Sequence, residues 1–226
     1  MRLYISDIEV ELIRKNIKDM HLYVLYPDGK VRLSAPNWLS EDKIIEFVNS
    51  RLDWIKEQQA KFKNEPLPEP ITYSTNDKIT IFGNTYILEI IEAKNNKFAF
   101  YNGRALLYCK KGSTKEQREA IVEKSLREAL YEKASVLLEK WESITFLKAS
   151  SFQIKKMKTR WGTCNPQTKK IWLNLELATK NIECIEYVIL HELAHLRAPG
   201  HGKDFVAIMD FYMPNWRELR EILNKN

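Results

Sequence analysis

Three of the chain's four histidines, His191, His195 and His201, fall within residues 191–201, and Glu192 and Leu193-Ala194 complete a His-Glu-x-x-His run. On a helix, side chains at i and i+4 stand one turn apart on the same face, about 5–6 Å between Cβ atoms. Two imidazoles so placed can converge on one ion, with Zn–N bonds of about 2.0–2.1 Å. Glu192 is rotated by about 100° from His191 and is no natural third ligand. Its carboxylate can instead act as general base on a metal-held water. Zinc lowers the pKa of such a water to about 7, so a modest base suffices.

The helix this chemistry needs is written in the residues before it. Ile182, Ile185, Val188 and Ile189 recur at helical spacing up to His191. Pro199 and Gly200 then break the helix and turn the chain back, so that His201 can complete a three-histidine set. The His-to-His spacing is the one metzincins use, but the position where they carry glycine is Ala198 here, and Gly200 comes two residues later. Met209 and Met213 belong to an apolar helical pattern with Phe205, Ile208 and Tyr212, which predicts core packing. A metzincin is therefore not expected.

The 226 residues, with 44% hydrophobic and 11% aromatic content, suit a globular protein with a sizeable core. No apolar h-region opens the chain and no run approaches the length of a membrane span, so neither a signal peptide nor a membrane role is expected. Cys109, Cys164 and Cys184 are odd in number and widely spaced, which argues against a disulfide framework and for a reducing, cytoplasmic setting. The net charge is +6, and residues 148–170 hold Lys148, Lys155, Lys156, Lys158, Arg160, Lys169 and Lys170 with no acidic residue. Such a segment is either a solvated face or a surface for a polyanion, nucleic acid included.

The elements that must position the histidines form an α+β chain. A β-rich N-terminal half, residues 1–113, precedes a catalytic half, residues 114–226, in which the metal-binding helix lies beside a small sheet. Leu22–Tyr26 and Lys30–Ser34 flank Pro27-Asp28-Gly29, a hairpin signal. Ser40 is placed to cap a helix with Ile44, Ile45, Val48, Leu52 and Ile55 on its apolar face, and Glu65–Pro70, rich in proline, reads as an extended connector. Strands are expected at Lys78–Phe82, Tyr86–Ile91, Phe98–Tyr101 and Ala105–Cys109, with turns at Gly83-Asn84, Asn95-Asn96 and Asn102-Gly103. A long helix follows from about Thr114 to Trp141, then strands near Phe152–Lys158 and Lys170–Leu175 bracketing Arg160-Trp161-Gly162-Thr163-Cys164. No internal repeat is visible.

These residues together resemble the YgjP-like metallopeptidase family, zincin-like proteins related to SprT-like and WLM domains. The similarity is carried by Tyr26–Val31, Ala35-Pro36, Asp53-Trp54-Ile55, Phe82–Tyr86, Thr159–Cys164, Leu173-Asn174-Leu175, His191–Leu196, His201 and Met213–Trp216. Thr163 stands where serine is usual, Ala178-Thr179 replace a proline pair, and Asn16–Asp19 replace an arginine-rich stretch. The resemblance implies a zincin-like α+β fold, Zn²⁺ held by His191, His195 and His201, and Glu192 as catalytic base.

Around that core, Asn174 is a candidate for substrate binding or for satisfying nearby backbone groups, and Arg160 for substrate binding or for pairing with Trp161. The Lys170–Leu175 strand is the candidate edge for holding an extended peptide. Gly162 fits a close backbone approach or a positive φ. Cys164 as a nucleophile is disfavoured, because the histidines that would activate it are better used as ligands. Tyr212, Arg160 and Arg197 are the candidates for a transition-state electrophile, and His21 is a surface or packing residue. The expected activity is that of a zinc-dependent hydrolase cleaving polypeptide. Two alternatives remain: a metal-dependent nucleotide phosphohydrolase, and a non-catalytic zinc module binding nucleic acid.

Overall fold

The computed structural model describes residues 1–25, 28–64 and 71–224; Pro27 of the expected hairpin turn and the Glu65–Pro70 connector lie outside them. Packing divides the chain into two compact units, Met1–Pro70 and Ile71–Asn226. The β-rich half expected over residues 1–113 spans this break, with four of its strands in each unit.

In the first unit, β1 (Arg2–Ile5), β2 (Ile8–Lys15), β3 (His21–Leu25) and β4 (Lys30–Pro36) form a sheet in the order β1-β2-β4-β3. The β3–β4 hairpin is present with Leu25 opposite Lys30, and Gly29 takes a φ of +67° in its turn, where a side chain would be strained. The expected single helix is two, α1 (Glu41–Asn49) and α2 (Leu52–Asn64), divided at Ser50 and Arg51. Ile44, Val48 and Ile55 are fully buried as expected, whereas Ile45 is exposed. Ser40 holds the N-cap position, but its side chain makes no capping hydrogen bond.

The second unit opens with β5 (Lys78–Ile81), β6 (Asn84–Glu92), β7 (Lys97–Tyr101) and β8 (Arg104–Cys109), ordered β5-β6-β8-β7. This sheet has the strand order and the senses of pairing of the first: an antiparallel hairpin, a parallel central pair, a second antiparallel hairpin. The repeat is one of architecture, without a repeated sequence. The β7–β8 turn is the expected Asn102-Gly103, both at positive φ. The β5–β6 turn is Phe82-Gly83 rather than Gly83-Asn84, with φ of +49° and +79°. A phenylalanine tolerates that conformation because the turn is docked, with Phe82 N–H donating to Ala178 O at 2.8 Å and Gly83 N–H to Thr179 O at 3.3 Å. A Cβ on Gly83 would lie 3.1 Å from Asn181, so glycine is needed for the fit as well as the turn.

Helix α3 (Lys115–Thr145) begins in a reciprocal capping box between Thr114 and Gln117 and buries Val122, Leu126, Leu130 and Ala134 in the core of this unit. A third sheet follows: β9 (Ser151–Lys155), β10 (Gly162–Asn165) and β11 (Lys170–Asn174), in the order β10-β11-β9. Here the sequence-based expectation needs two corrections. Gly162–Asn165 is itself a strand rather than a bracketed loop, and Lys170–Asn174 is central, paired on both sides, so it is not the free edge. A 3₁₀ turn (Leu175–Thr179) leads to α4 (Ile182–Ala194), which carries the His-Glu-x-x-His run, and then to α5 (Lys203–Tyr212) and α6 (Trp216–Asn224). Met209 and Met213 are buried in this core. Among the described residues no helix is long and apolar enough to cross a membrane.

Candidate metal centre

Helix α4 is fixed at its start by Asn181, whose side-chain oxygen accepts from Cys184 N–H at 2.9 Å. Its interior, Cys184 to Leu190, is almost wholly buried, so the helix is held on its sides by packing and not by propensity alone. It ends at Ala194, before Pro199 is reached; residues 195–197 continue as turn, and His201 follows ahead of α5.

This path brings the three ring nitrogens together. His191 Nε2 lies 3.2 Å from His195 Nε2 and 3.1 Å from His201 Nε2, and all the ligand atoms lie within 4.8 Å of one another. A tetrahedral ion with bonds of about 2.0–2.1 Å holds its nitrogens about 3.3 Å apart. The set therefore fits a divalent metal of zinc's size and borderline softness.

The tautomers required are supported from behind. His195 Nδ1 is 3.1 Å from the Ala198 carbonyl, to which it donates, leaving Nε2 with its lone pair. His191 Nδ1 lies 3.4 Å from the Tyr187 hydroxyl, whose pKa burial pushes up. Burial, then the neighbouring His195, His201 and Arg220, lowers the His191 pKa to about 3, so protons compete little for it near neutral pH. The pKa of His201 is lowered for the same reasons, burial first.

Beneath the rings lies Phe205 of α5, which is 1% exposed. Its ring centroid is 4.9, 5.0 and 4.7 Å from those of His191, His195 and His201. One apolar ring thus packs against all three imidazoles. Phe205→Ala is expected to cost about 3–5 kcal/mol of folding stability and to weaken zinc binding, measurable by denaturation of the metal-free protein and by chelator competition.

Glu192 is 4% exposed, and its Oε2 is buried without a hydrogen-bond partner among the described residues. Burial raises its pKa to about 8, against a smaller lowering by Arg160. The carboxylate lies against β10: a Cβ on Gly162 would meet Glu192 Oε1 at 2.5 Å and Cγ at 2.8 Å. Of the two readings of Gly162, close approach is the one observed.

Glu192 and the histidines open onto a cavity of about 920 Å³, walled by β10 residues Gly162, Thr163 and Cys164 on one side and by α6 residues Trp216, Arg220 and Leu223 on another. Arg160 lines it too; Asn174 does not. Asn174 is 4% exposed and accepts from Met157 and Glu176 N–H while donating to the carbonyls of Met157 and Arg160, so its amide organises the 156–161 loop. The cation over Trp161 is Lys180, at 5.3 Å, and not Arg160. Of the electrophile candidates only Arg160 faces the cavity; Tyr212 packs edge-on to Trp141, and Arg197 is exposed elsewhere. Burial raises the Cys164 thiol to about 11, which keeps it protonated and a poor nucleophile. His21 is exposed on β3 of the first unit.

Sequence reasoning missed Phe205, Tyr187, Trp216 and Arg220 as members of the site. Tyr187 had a signal, standing one turn before His191 on the same helical face. Trp216 lies within the Met213–Trp216 run; its ring stacks on Tyr187 with centroids 6.5 Å apart, and its Nε1 donates to Asp210 at 2.7 Å. Arg220 had none.

A family model described as YgjP-like, metallopeptidase domain, matches residues 19–226. Among solved structures, the chain is similar to the metallopeptidase zymogen of Pyrococcus abyssi abylysin at 23% identity, covering 41% of this chain and 93% of that one with a TM-score of 0.38. It is also similar to the metallopeptidase zymogen of Methanocaldococcus jannaschii jannalysin at 24% identity, covering 41% of this chain and 95% of that one with a TM-score of 0.36. No curated protein matches the chain.

Proposed function

The chain belongs to the family of YgjP-like metallopeptidase domains, which implies a metal-dependent peptidase, and from that premise we propose that it is a zinc enzyme hydrolysing polypeptides with Glu192 as general base. His191, His195 and His201 are the metal ligands in this reading. Zinc bound there would supply Lewis acidity and lower the pKa of a coordinated water. Three protein ligands leave a position open, as catalytic sites require and structural sites do not.

The observation that carries the reading is the unpartnered, buried Oε2 of Glu192, in the same cavity as the three converging nitrogens. An unpaired buried carboxylate oxygen is costly to keep. It is accounted for if its partner is a water that attacks substrate. Glu192 accepts the proton of that water and returns it to the departing amine. The substrate strand is held by β10, the edge of the third sheet whose residues line the cavity, through main-chain pairing. The three free cysteines suit work in a reducing cytoplasm.

Nucleic acid as a partner through 148–170 draws less support, because the basic residues are dispersed. Lys156 pairs with Glu123 and Glu119, Lys155 lies over Trp172, and Arg160 faces the cavity.

The test is to incubate the zinc-loaded chain with casein and, separately, with nucleoside triphosphates. Casein should be cut, chelation should stop the reaction, and added zinc should restore it; consumption of the triphosphates alone would overturn the peptidase reading. His201→Ala should weaken zinc binding by more than the roughly 10–100-fold that loss of an outer-shell partner costs. A variant that keeps full zinc stoichiometry under chelator competition excludes His201 as a ligand.

A further inference from the structure

Peptide hydrolysis makes two opposite demands on a site. A base must take a proton from the attacking water, and a donor must stabilise the carbonyl oxygen as electron density moves onto it. A donor beside the base would pair with it and cancel both. The two groups must therefore stand apart.

Two guanidinium groups line the cavity, and they divide in this way. Arg160 adjoins β10 and is the cation whose field reaches Glu192. Arg220 stands on α6, and its field reaches His191 and His201. On α6 the cavity-lining residues Trp216, Arg220, Leu223 and Asn224 follow one another at i, i+4, i+7 and i+8, so a single helical face turns to the site with Arg220 at its middle. Trp216 and Leu223 are buried and fix that face, while Arg220 is exposed between them.

One turn earlier on the same helix, Arg217 is engaged by Asp210. Arg220 has no ion-pair or hydrogen-bond partner among the described residues. Its charge is permanent, and a planar fork of donors remains free for an anionic oxygen.

We propose that Arg220 is the transition-state electrophile of this site, donating hydrogen bonds to the scissile carbonyl oxygen as it becomes an oxyanion. The proposal rests on the peptidase reading above. Water adds its oxygen to the carbonyl carbon and gives a proton to Glu192, the C=O π pair moves onto the oxygen facing Arg220, and collapse expels the amine with the proton from Glu192. No other reactant is needed.

The test uses the full zinc-loaded chain and its Arg220→Ala and Arg220→Lys variants, with casein as substrate and a phosphinic peptide as a mimic of the tetrahedral state. Removing one such donor elsewhere costs about 10²–10³ in kcat. Arg220→Ala should fall by that factor with KM changed less than about threefold, and phosphinic-peptide affinity should drop in parallel. Zinc content and Tm should hold, and Arg220→Lys or added guanidinium should recover some of the loss. Unchanged kcat with active wild type overturns the proposal alone. So does a rise in KM confined to peptides with a free C-terminus, which would make Arg220 a carboxylate anchor, and so does loss of zinc, which would make it structural. A wild type that cuts no polypeptide overturns the peptidase reading and this proposal with it.

Discussion

Glu192→Gln is expected to lower kcat on casein by about 10²–10⁴-fold, the range over which a positioned acid–base group contributes, while bound zinc stays at wild-type stoichiometry. Gln keeps the shape of a side chain that is 4% exposed but cannot take a proton from water. Turnover within a few-fold of wild type would remove Glu192 from the reaction.

The same substitution has an opposite signature in the metal-free protein. Burial holds the Glu192 carboxyl neutral up to about pH 8, whereas its ordinary value is 4.5. A group whose pKa is raised by folding contributes stability that is fully present below its unfolded value and is lost as pH rises through the folded one. Between pH 4.5 and about 8 the wild type should therefore lose about 1.4 kcal/mol relative to the Gln variant for each pH unit crossed. His191, lowered to about 3, works in the other direction: its contribution is lost as pH falls below 6.5, in both proteins alike. Denaturation of the two metal-free proteins from pH 5 to 9 should show curves that diverge in favour of the variant and run parallel above about pH 8. Beside a bound cation Glu192 gives up its proton more readily, so metal should shrink the difference.

Gly162→Ala should be nearly as damaging to activity, with no change in any ligand or in the base itself. The added methyl would sit 2.5 Å from Glu192 Oε1, 2.8 Å from Cγ and 2.9 Å from Cδ, so the whole end of the side chain must move. Glu192 is buried on the β10 side and can yield only toward the cavity, which displaces its carboxylate. Overpacking of this kind costs about 1–3 kcal/mol, and displacing a catalytic carboxylate by about 1 Å is worth on the order of 10²-fold in rate. The expected outcome is a folded, zinc-binding protein with kcat reduced by about that factor. Wild-type kcat in this variant would mean that the approach of β10 to Glu192 does not set the position of the base.

The regions of the molecule legible in the sequence are those written in short-range spacing. His191 and His195 lie one turn apart, the apolar residues of α4 run continuously to them, and Asn102-Gly103 gives its hairpin, because each depends only on residues a few places away. What was hidden depends on distant partners. Gly162–Asn165, with Thr163 as its one β-branched residue and glycine and asparagine at its ends, lacks the pattern of a strand and becomes one because β11 offers it a register. Lys170–Asn174 reads as well for an edge as for a centre; β9 and β10 on either side decide it. Phe82 at positive φ defies its local preference because the turn is docked on residues 178–181. Phe205 and Arg220 reach the site by the folding back of α5 and α6, which no local pattern announces.

The docked turn at Phe82-Gly83 bears on how the site can exchange its contents. It fastens the chain just ahead of α4 by two main-chain hydrogen bonds, from a strand pair roughly a hundred residues earlier. His191 therefore rides on a helix secured at its root and packed along its sides, and His195 caps the end of that helix. His201 is exposed, in the 199–202 turn between two helices. Local opening costs least where little is buried. If the three imidazoles hold an ion, as proposed, the 199–202 loop is the side that would open first to admit or release it, as a jaw with one fixed and one moving side.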